Sequence, residues 1–146
     1  MNKHYQRLEH MYLSAPFNRL FKPEIHIADS HAEISIELSN DYHHAAGAVH
    51  GSVYFKMLDD AAYFAANSLE TEFFLVTTSF TTYLTRPVSQ GIMRAVGKVL
   101  NQNRSQIIAE AVVYNSAEKE IGRGNGVFVR SKNKLESIQG YNDLLT

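Results

Sequence analysis

The chain has 146 residues, of which 45% are hydrophobic and 20% are charged. This composition suits one compact domain and excludes a disordered polypeptide. Fourteen Lys and Arg residues against 15 Asp and Glu leave a formal charge of −1, without the basic surplus that is typical of nucleic-acid-binding proteins. There is no cysteine, which excludes disulfides, thiolate nucleophiles and Cys-ligated zinc. No apolar run approaches the ~20 residues that span a membrane, and residues 1–9 are too polar for a secretory signal. We therefore expect a single cytoplasmic domain over residues 1–146, with neither nucleic acid nor membrane as a partner.

Residues 1–22 form a predicted N-terminal helical segment. Apolar side chains recur at helical spacing over residues 3–13, Pro16 limits this helix, and a short second turn ends at Pro23. Two strands are predicted next, Ile25–Ala28 and Ala32–Leu38, joined by a tight turn. The second strand alternates strictly between apolar and polar residues, which is typical of a half-exposed antiparallel strand.

A long helix is predicted over Gly51–Leu69, the longest segment without an internal Gly or Pro. On a helical wheel, apolar side chains cover nearly every side, which indicates a buried helix. The broad apolar face is composed of Phe55, Leu58, Ala62, Ala65, Ala66 and Leu69. The narrow polar sector is composed of Ser52, Lys56, Asp59, Asp60, Tyr63 and Asn67.

Four strand-like runs with short connections follow, over residues 73–86, 91–100, 106–114 and 120–130. Short turns join antiparallel neighbours, so we predict an α+β fold with one antiparallel sheet wrapped around one long buried helix. The C-terminal tail, residues 131–146, has no predicted place. Because a single sheet has open edges, we expect at least a dimer.

The start of the long helix is a candidate site for oxyanion stabilisation. Its first backbone N–H groups lack internal partners and carry the positive end of the helix dipole, and Gly51 lets a ligand approach closely. Such a donor can stabilise an oxyanion that forms at a carbonyl. The alternative is an ordinary capped helix, with His50 or Ser52 near the cap.

Two adjacent carboxylates, Asp59 and Asp60, lie in the middle of this helix. Either is a candidate general base or nucleophile in a cleft, and either could pair with Lys56 one turn earlier. A solvated polar stripe is an equal alternative, and spacing does not choose between the two carboxylates. We expect no metal site, because the spacing of the histidines around residues 43–50 does not place them on one face.

The segment Gly47-x-x-His50-Gly51-Ser52, with Asp59 eight residues after Gly51, resembles the hotdog-fold acyl-CoA thioesterases. The most similar branch is the phenylacetate-degradation and 4-hydroxybenzoyl-CoA thioesterase type. The resemblance continues through Tyr83–Pro87, Asn103–Ser105 and Gly122–Gly124, and covers roughly residues 30–130. It implies the hotdog fold, which agrees with a sheet wrapped around one helix.

The resemblance also implies catalytic roles. The Gly51 N–H would polarise the thioester carbonyl. Asp59, from the neighbouring subunit, would attack it or activate water, and Thr77 would help to position that water. His50 would shape the helix start, and His44 stands where the family commonly has Asn or Gln.

Binding roles for the CoA portion follow from the same resemblance. Arg104 is a candidate contact for the phosphates or pantetheine, with Ser105 beside it. Ser52 replaces the second glycine of the usual His-Gly-Gly and would add a Cβ close to the substrate.

The function that these features favour is hydrolysis of acyl-CoA thioesters, without a metal or redox cofactor, in a homodimer or homotetramer with the site at the subunit interface. One alternative is an acyl-thioester dehydratase or hydratase that pairs His44 or His50 with Asp59. A non-catalytic acyl-CoA-binding module is the other. The acyl group stays open, since the nearby aromatic residues suit either a pocket or the core: Tyr54, Tyr63, Phe64, Phe73 and Phe74.

Overall fold

The computed structural model describes residues 3–143 of the chain. Its helices are α1 (Lys3–Ser14), α2 (Gly51–Asn67) and α3 (Gln139–Asn142), with short 3-10 turns at Pro16–Leu20, Asn40–Tyr42 and Leu135–Ser137. Its strands are β1 (Glu24–Ala28), β2 (His31–Glu37), β3 (Phe73–Leu84), β4 (Ile92–Gln102), β5 (Ile107–Tyr114) and β6 (Glu120–Lys134). The predicted order of elements is confirmed. The ends of the two predicted terminal segments, residues 1–2 and 144–146, lie outside the described residues.

All six strands form one antiparallel sheet in the order β1-β2-β4-β5-β6-β3. Helix α2 packs against this sheet, and its contacts extend to every strand. Gly97 of β4 makes this packing close, because a Cβ at that position would overlap the backbone of Ala61 in α2. The predicted α+β architecture, a sheet wrapped around one buried helix, is confirmed.

Three residues of α2 differ from the helical-wheel prediction. Phe55, assigned to the apolar face, is 41% exposed. Tyr63 and Asn67, assigned to the polar sector, are buried because β3 supplies backbone partners for their polar atoms. The Tyr63 hydroxyl donates to the Leu75 carbonyl at 2.8 Å, and Asn67 Oδ1 accepts the Leu75 N–H at 3.3 Å. Asn67 Nδ2 also donates to the Glu70 carbonyl at 3.0 Å, so Asn67 fixes the corner between α2 and β3.

The C-terminal segment, which the sequence left unplaced, folds back onto α1. Strand β6 continues to Lys134, four residues past the predicted end, and Leu135 is fully buried. The Tyr141 hydroxyl lies 2.7 Å from His4 Nδ1 and so links α3 to α1. None of the helices among residues 3–143 is long and apolar enough to cross a membrane.

Candidate active site

A cavity of about 490 Å³ opens between the N-terminal segment, α2 and the start of β3. Its volume lies in the range of small-molecule binding sites. Five of its lining residues are aromatic, and two carboxylates reach it from α2. The lining residues are Met11, Tyr12, Ala15, Phe17, Asn18, Lys56, Asp59, Asp60, Tyr63, Phe64, Phe74, Leu75, Val76 and Thr77.

Of the two carboxylates that line this cavity, Asp59 is the one that makes no hydrogen bond to a cationic side chain among residues 3–143. Thr77, on the facing strand β3, donates a hydrogen bond from its hydroxyl to Asp59 Oδ1 at 2.9 Å. Burial raises the pKa of Asp59 from 3.8 to about 6, against the opposing effects of the Thr77 hydrogen bond and the charge of Lys56. A carboxyl group with a pKa close to neutral is suited to accept a proton during catalysis.

Asp60 is engaged in a different way. Lys56 Nζ lies 2.5 Å from Asp60 Oδ2, and the Tyr12 hydroxyl donates to the same oxygen at 2.7 Å. The pairing with Lys56 that the sequence allowed for either carboxylate is therefore made by Asp60. This arrangement distinguishes the two acids, which helical spacing could not do.

The start of α2 is capped by His50. The Ser52 N–H donates to His50 Nδ1 at 3.0 Å, and the Ser52 hydroxyl lies 2.8 Å from the same nitrogen. Gly51, the next residue, borders a second cavity of about 370 Å³ that His44 and Arg86 also line. A Cβ at Gly51 would lie only 2.9 Å from Leu84 Cδ1, so a side chain at this position would crowd the space between the helix start and Leu84.

Arg104 and Ser105 lie in the turn between β4 and β5 and line neither cavity. Ser105 donates from its backbone N–H and its hydroxyl to Asn103 Oδ1, each at 3.0 Å, which closes the turn. The Arg104 carbonyl accepts a hydrogen bond from Arg130 Nη1 at 2.8 Å. The Arg104 side chain is exposed.

The structure thus brings the predicted residues together in two groups. Asp59 and Thr77 share one cavity, and Gly51 and His44 share the other. Asp59 follows Gly51 by eight positions on the helix, which corresponds to a distance of about 12 Å along the axis at 1.5 Å per residue. Within residues 3–143, no three His, Asp or Glu side chains are placed to hold a metal ion.

Sequence reasoning missed the contribution of the N-terminal segment to the first cavity. Tyr12, Phe17 and Asn18 all line it, although they precede α2 by more than thirty residues. The helical spacing of apolar residues in this segment indicated a packing face but carried no signal for what that face covers. Of the aromatic residues considered for a pocket, Tyr63 and Phe64 of α2 and Phe74 of β3 line the cavity.

An antiparallel sheet wrapped around one helix, with a ligand-sized cavity beside that helix, defines a hotdog-fold protein. Residues 46–121 match the family model of the thioesterase superfamily, and the chain belongs to that superfamily. The matched region includes Gly51, Asp59, Thr77 and Arg104 and begins after the N-terminal segment.

Solved structures share this fold at low sequence identity. The PaaI protein of the phenylacetic acid degradation operon of E. coli is 19% identical, with a TM-score of 0.82 over 90% of this chain and 96% of that one. The conserved protein PA5202 of Pseudomonas aeruginosa is 23% identical, with a TM-score of 0.76 over 82% of this chain and 97% of that one. A mutant of the phenylacetic acid degradation protein PaaI of Thermus thermophilus is 22% identical, with a TM-score of 0.73 over 80% of this chain and all of that one. No curated protein matches the sequence.

Proposed function

We propose that the protein hydrolyses acyl-CoA thioesters to a free acid and CoA, with Asp59 as the reacting carboxylate. Membership of the thioesterase superfamily supports acyl-thioester hydrolysis in general. The observation that carries the assignment to Asp59 is its place in the cavity, where burial raises its pKa to about 6. Asp60, one residue further on, is held by Lys56 and Tyr12 and so has less freedom to react.

In the proposed reaction, ionised Asp59 either accepts a proton from water as the water oxygen attacks the thioester carbon, or attacks that carbon itself. The carbonyl oxygen becomes an oxyanion, and the carbon–sulfur bond breaks as the carbon–oxygen double bond re-forms. The CoA thiolate takes up a proton, from Asp59 in the general-base route and from water in the nucleophilic route. The Thr77 hydroxyl, 2.9 Å from Asp59 Oδ1, orients the carboxylate and helps to position the water. If Asp59 acts as the nucleophile, water then hydrolyses the resulting anhydride.

The proposed oxyanion donor is the Gly51 N–H of a second subunit. The separation of Gly51 and Asp59 along one helix, about 12 Å, prevents both from contacting one thioester within a single chain. In a homodimer or homotetramer, the Gly51–His44 cavity of one copy would meet the Asp59–Thr77 cavity of the other. One such donor contributes roughly 3–4 kcal/mol to transition-state stabilisation.

We assign the CoA portion to residues outside the acyl cavity. Arg104 is exposed at the β4–β5 turn, where its guanidinium is available to phosphate oxygens, and Ser105 adjoins it. Ser52 stands at the exposed start of α2, close to where the thioester would enter. The proposed scheme uses no metal or redox cofactor.

The test is release of free thiol from a panel of aromatic and aliphatic acyl-CoAs by the wild type, Asp59→Asn and Asp60→Asn. The two variants make the same chemical change on adjacent residues of one helix. We expect turnover by the wild type, loss of at least about 100-fold in Asp59→Asn, and a smaller loss in Asp60→Asn. The control is circular dichroism, which shows whether each variant is folded.

Other outcomes would identify the alternatives. Equal loss in both variants would contradict the assignment of Asp59. Absence of thiol release with formation of an unsaturated or hydrated acyl-CoA would indicate a dehydratase or hydratase. Absence of any turnover, with CoA esters still protecting the fold against heat, would indicate a binding module.

A further inference from the structure

The N-terminal segment closes one side of the cavity that holds Asp59. Tyr12 near the end of α1, and Phe17 and Asn18 in the following 3-10 turn, line the cavity together with residues of α2 and β3. This segment precedes residues 46–121, the region that matches the superfamily model. This side of the cavity wall therefore comes from a different part of the chain than Asp59 and Thr77, the groups proposed for the chemistry.

A network of polar contacts fixes this wall to α2. Lys56 Nζ donates to Asn18 Oδ1 at 2.6 Å and to Asp60 Oδ2 at 2.5 Å. Tyr12 donates from its hydroxyl to Asp60, and Asn18 Nδ2 donates to the Tyr12 carbonyl at 2.8 Å. Only 10% of the Lys56 side chain is exposed, so the ammonium group is enclosed by the segment that it holds.

Aromatic rings complete the enclosure of Lys56. Its Nζ lies 5.2 Å from the ring centroid of Tyr12, 5.0 Å from that of Phe17 and 5.1 Å from that of Phe21. These distances are within the range of cation–π attraction. The ammonium group therefore holds the aromatic side chains of the wall as well as its polar ones.

Phe17 stands out among the wall residues because it is 60% exposed and yet lines the cavity. Its ring contacts Phe21 edge to face at 5.4 Å. A large side chain that is partly open to solvent and partly turned to a cavity lies at the cavity's rim. Removing it would enlarge the opening without taking a side chain from the core.

We propose that Phe17, held in place by the Lys56 network, determines the size of the acyl group that the cavity accepts. This inference rests on the proposed function for the nature of the ligand. An acyl group attached to a thioester next to Asp59 would extend into the same cavity, where the Phe17 ring forms part of the wall. Groups that reach past this ring would have to displace it and break its contact with Lys56.

The test is the binding of a series of S-alkyl-CoA thioethers, from ethyl to dodecyl, which cannot be hydrolysed. Dissociation constants are measured for the wild type, Phe17→Ala and the matched control Leu20→Ala. Leu20 lies in the same 3-10 turn and is 68% exposed, but it does not line the cavity. The same variants are assayed for hydrolysis of the corresponding acyl-CoAs.

We expect wild-type affinity to increase with alkyl length up to a limit and then to fall. Phe17→Ala should move this limit to longer chains and bind the first excluded chain at least about tenfold more tightly, which is the discrimination typical of one methylene group at a pocket wall. Leu20→Ala should keep the wild-type limit. An unchanged limit in Phe17→Ala, an equal change at every chain length, or no binding of any thioether by the wild type would overturn the proposal.

The two assays keep this inference separate from the proposed hydrolysis. A shifted binding limit without thiol release would support the role of Phe17 and contradict the hydrolase. Thiol release with the same chain-length profile in the wild type and Phe17→Ala would support the hydrolase and contradict the role of Phe17.

Discussion

Replacement of Asp59 by Asn should increase the stability of the fold while abolishing the proposed activity. The pKa of Asp59 rises from 3.8 to about 6 on folding, mainly because the side chain is buried. Each pKa unit corresponds to about 1.36 kcal/mol, so ionised Asp59 destabilises the folded state by about 3 kcal/mol relative to its protonated form. Residual exposure to solvent reduces this toward about 2 kcal/mol. A neutral Asn resembles the protonated acid and escapes this cost.

The sign of the pH dependence follows from the direction of the pKa change. Because the pKa is raised on folding, the stability that protonated Asp59 provides is complete below pH 3.8 and is lost as the pH rises through about 6. The free energy of unfolding of Asp59→Asn should therefore exceed that of the wild type by about 2–3 kcal/mol at pH 8, by roughly half of that at pH 5, and by little at pH 3.5. At pH 8 this difference corresponds to a melting temperature that is roughly 4–12 °C higher for the variant.

Urea denaturation of both proteins at pH 5, 6, 7 and 8 measures this difference directly. In parallel, kcat/KM of the wild type should fall on the acidic side with a midpoint near pH 6, since the reaction needs the carboxylate. A variant less stable than the wild type at pH 8, or a stability difference independent of pH, would refute the argument that burial sets the pKa of Asp59.

Three further variants test other parts of the structure. The Thr77 hydroxyl donates a hydrogen bond to Asp59, and this bond lowers the pKa of Asp59. Thr77→Val removes the bond, so the acidic limb of the kcat/KM profile, measured across pH 5–9, should move above pH 6. Arg104→Ala should raise KM about tenfold for acyl-CoA but leave KM unchanged for the same acyl group on N-acetylcysteamine, which lacks phosphates; an equal rise for both would contradict phosphate recognition. Gly97→Ala places a Cβ against the backbone of Ala61 and should lower the free energy of unfolding by about 3 kcal/mol, whereas a change under about 0.5 kcal/mol would show that the helix can move away from β4.

The sequence predicted the elements of this fold well because the pattern of apolar residues shows which sides of each element are buried. The alternation in β2 and the apolar character of α2 both follow from burial against the sheet. The helical-wheel prediction was wrong for Phe55, Tyr63 and Asn67 because a helical wheel does not show where β3 lies relative to the helix. A strand that offers backbone partners allows Tyr63 and Asn67 to be buried, and Phe55 points to a side of the helix that the chain leaves partly open.

The choice between Asp59 and Asp60 could not be made from the sequence for a similar reason. Both carboxylates lie on α2, and their difference comes from Tyr12, Lys56 and Thr77. Two of these three residues belong to other elements, and only the tertiary structure brings them to the helix. Local spacing could show that Lys56 reaches either carboxylate but not which one it contacts.

The corner that Asn67 forms also affects how the molecule opens. Its buried amide joins the last turn of α2 to Leu75 and to the carbonyl of Glu70, so neither the helix end nor the start of β3 can detach without breaking these bonds. The Leu75 amide hydrogen should exchange with solvent only in the globally unfolded state, as part of one cooperative unit with α2. Asp59 and Thr77 belong to the two arms of this unit. We therefore expect thermal motions that loosen the hairpin turns to leave the distance between Asp59 Oδ1 and the Thr77 hydroxyl unchanged.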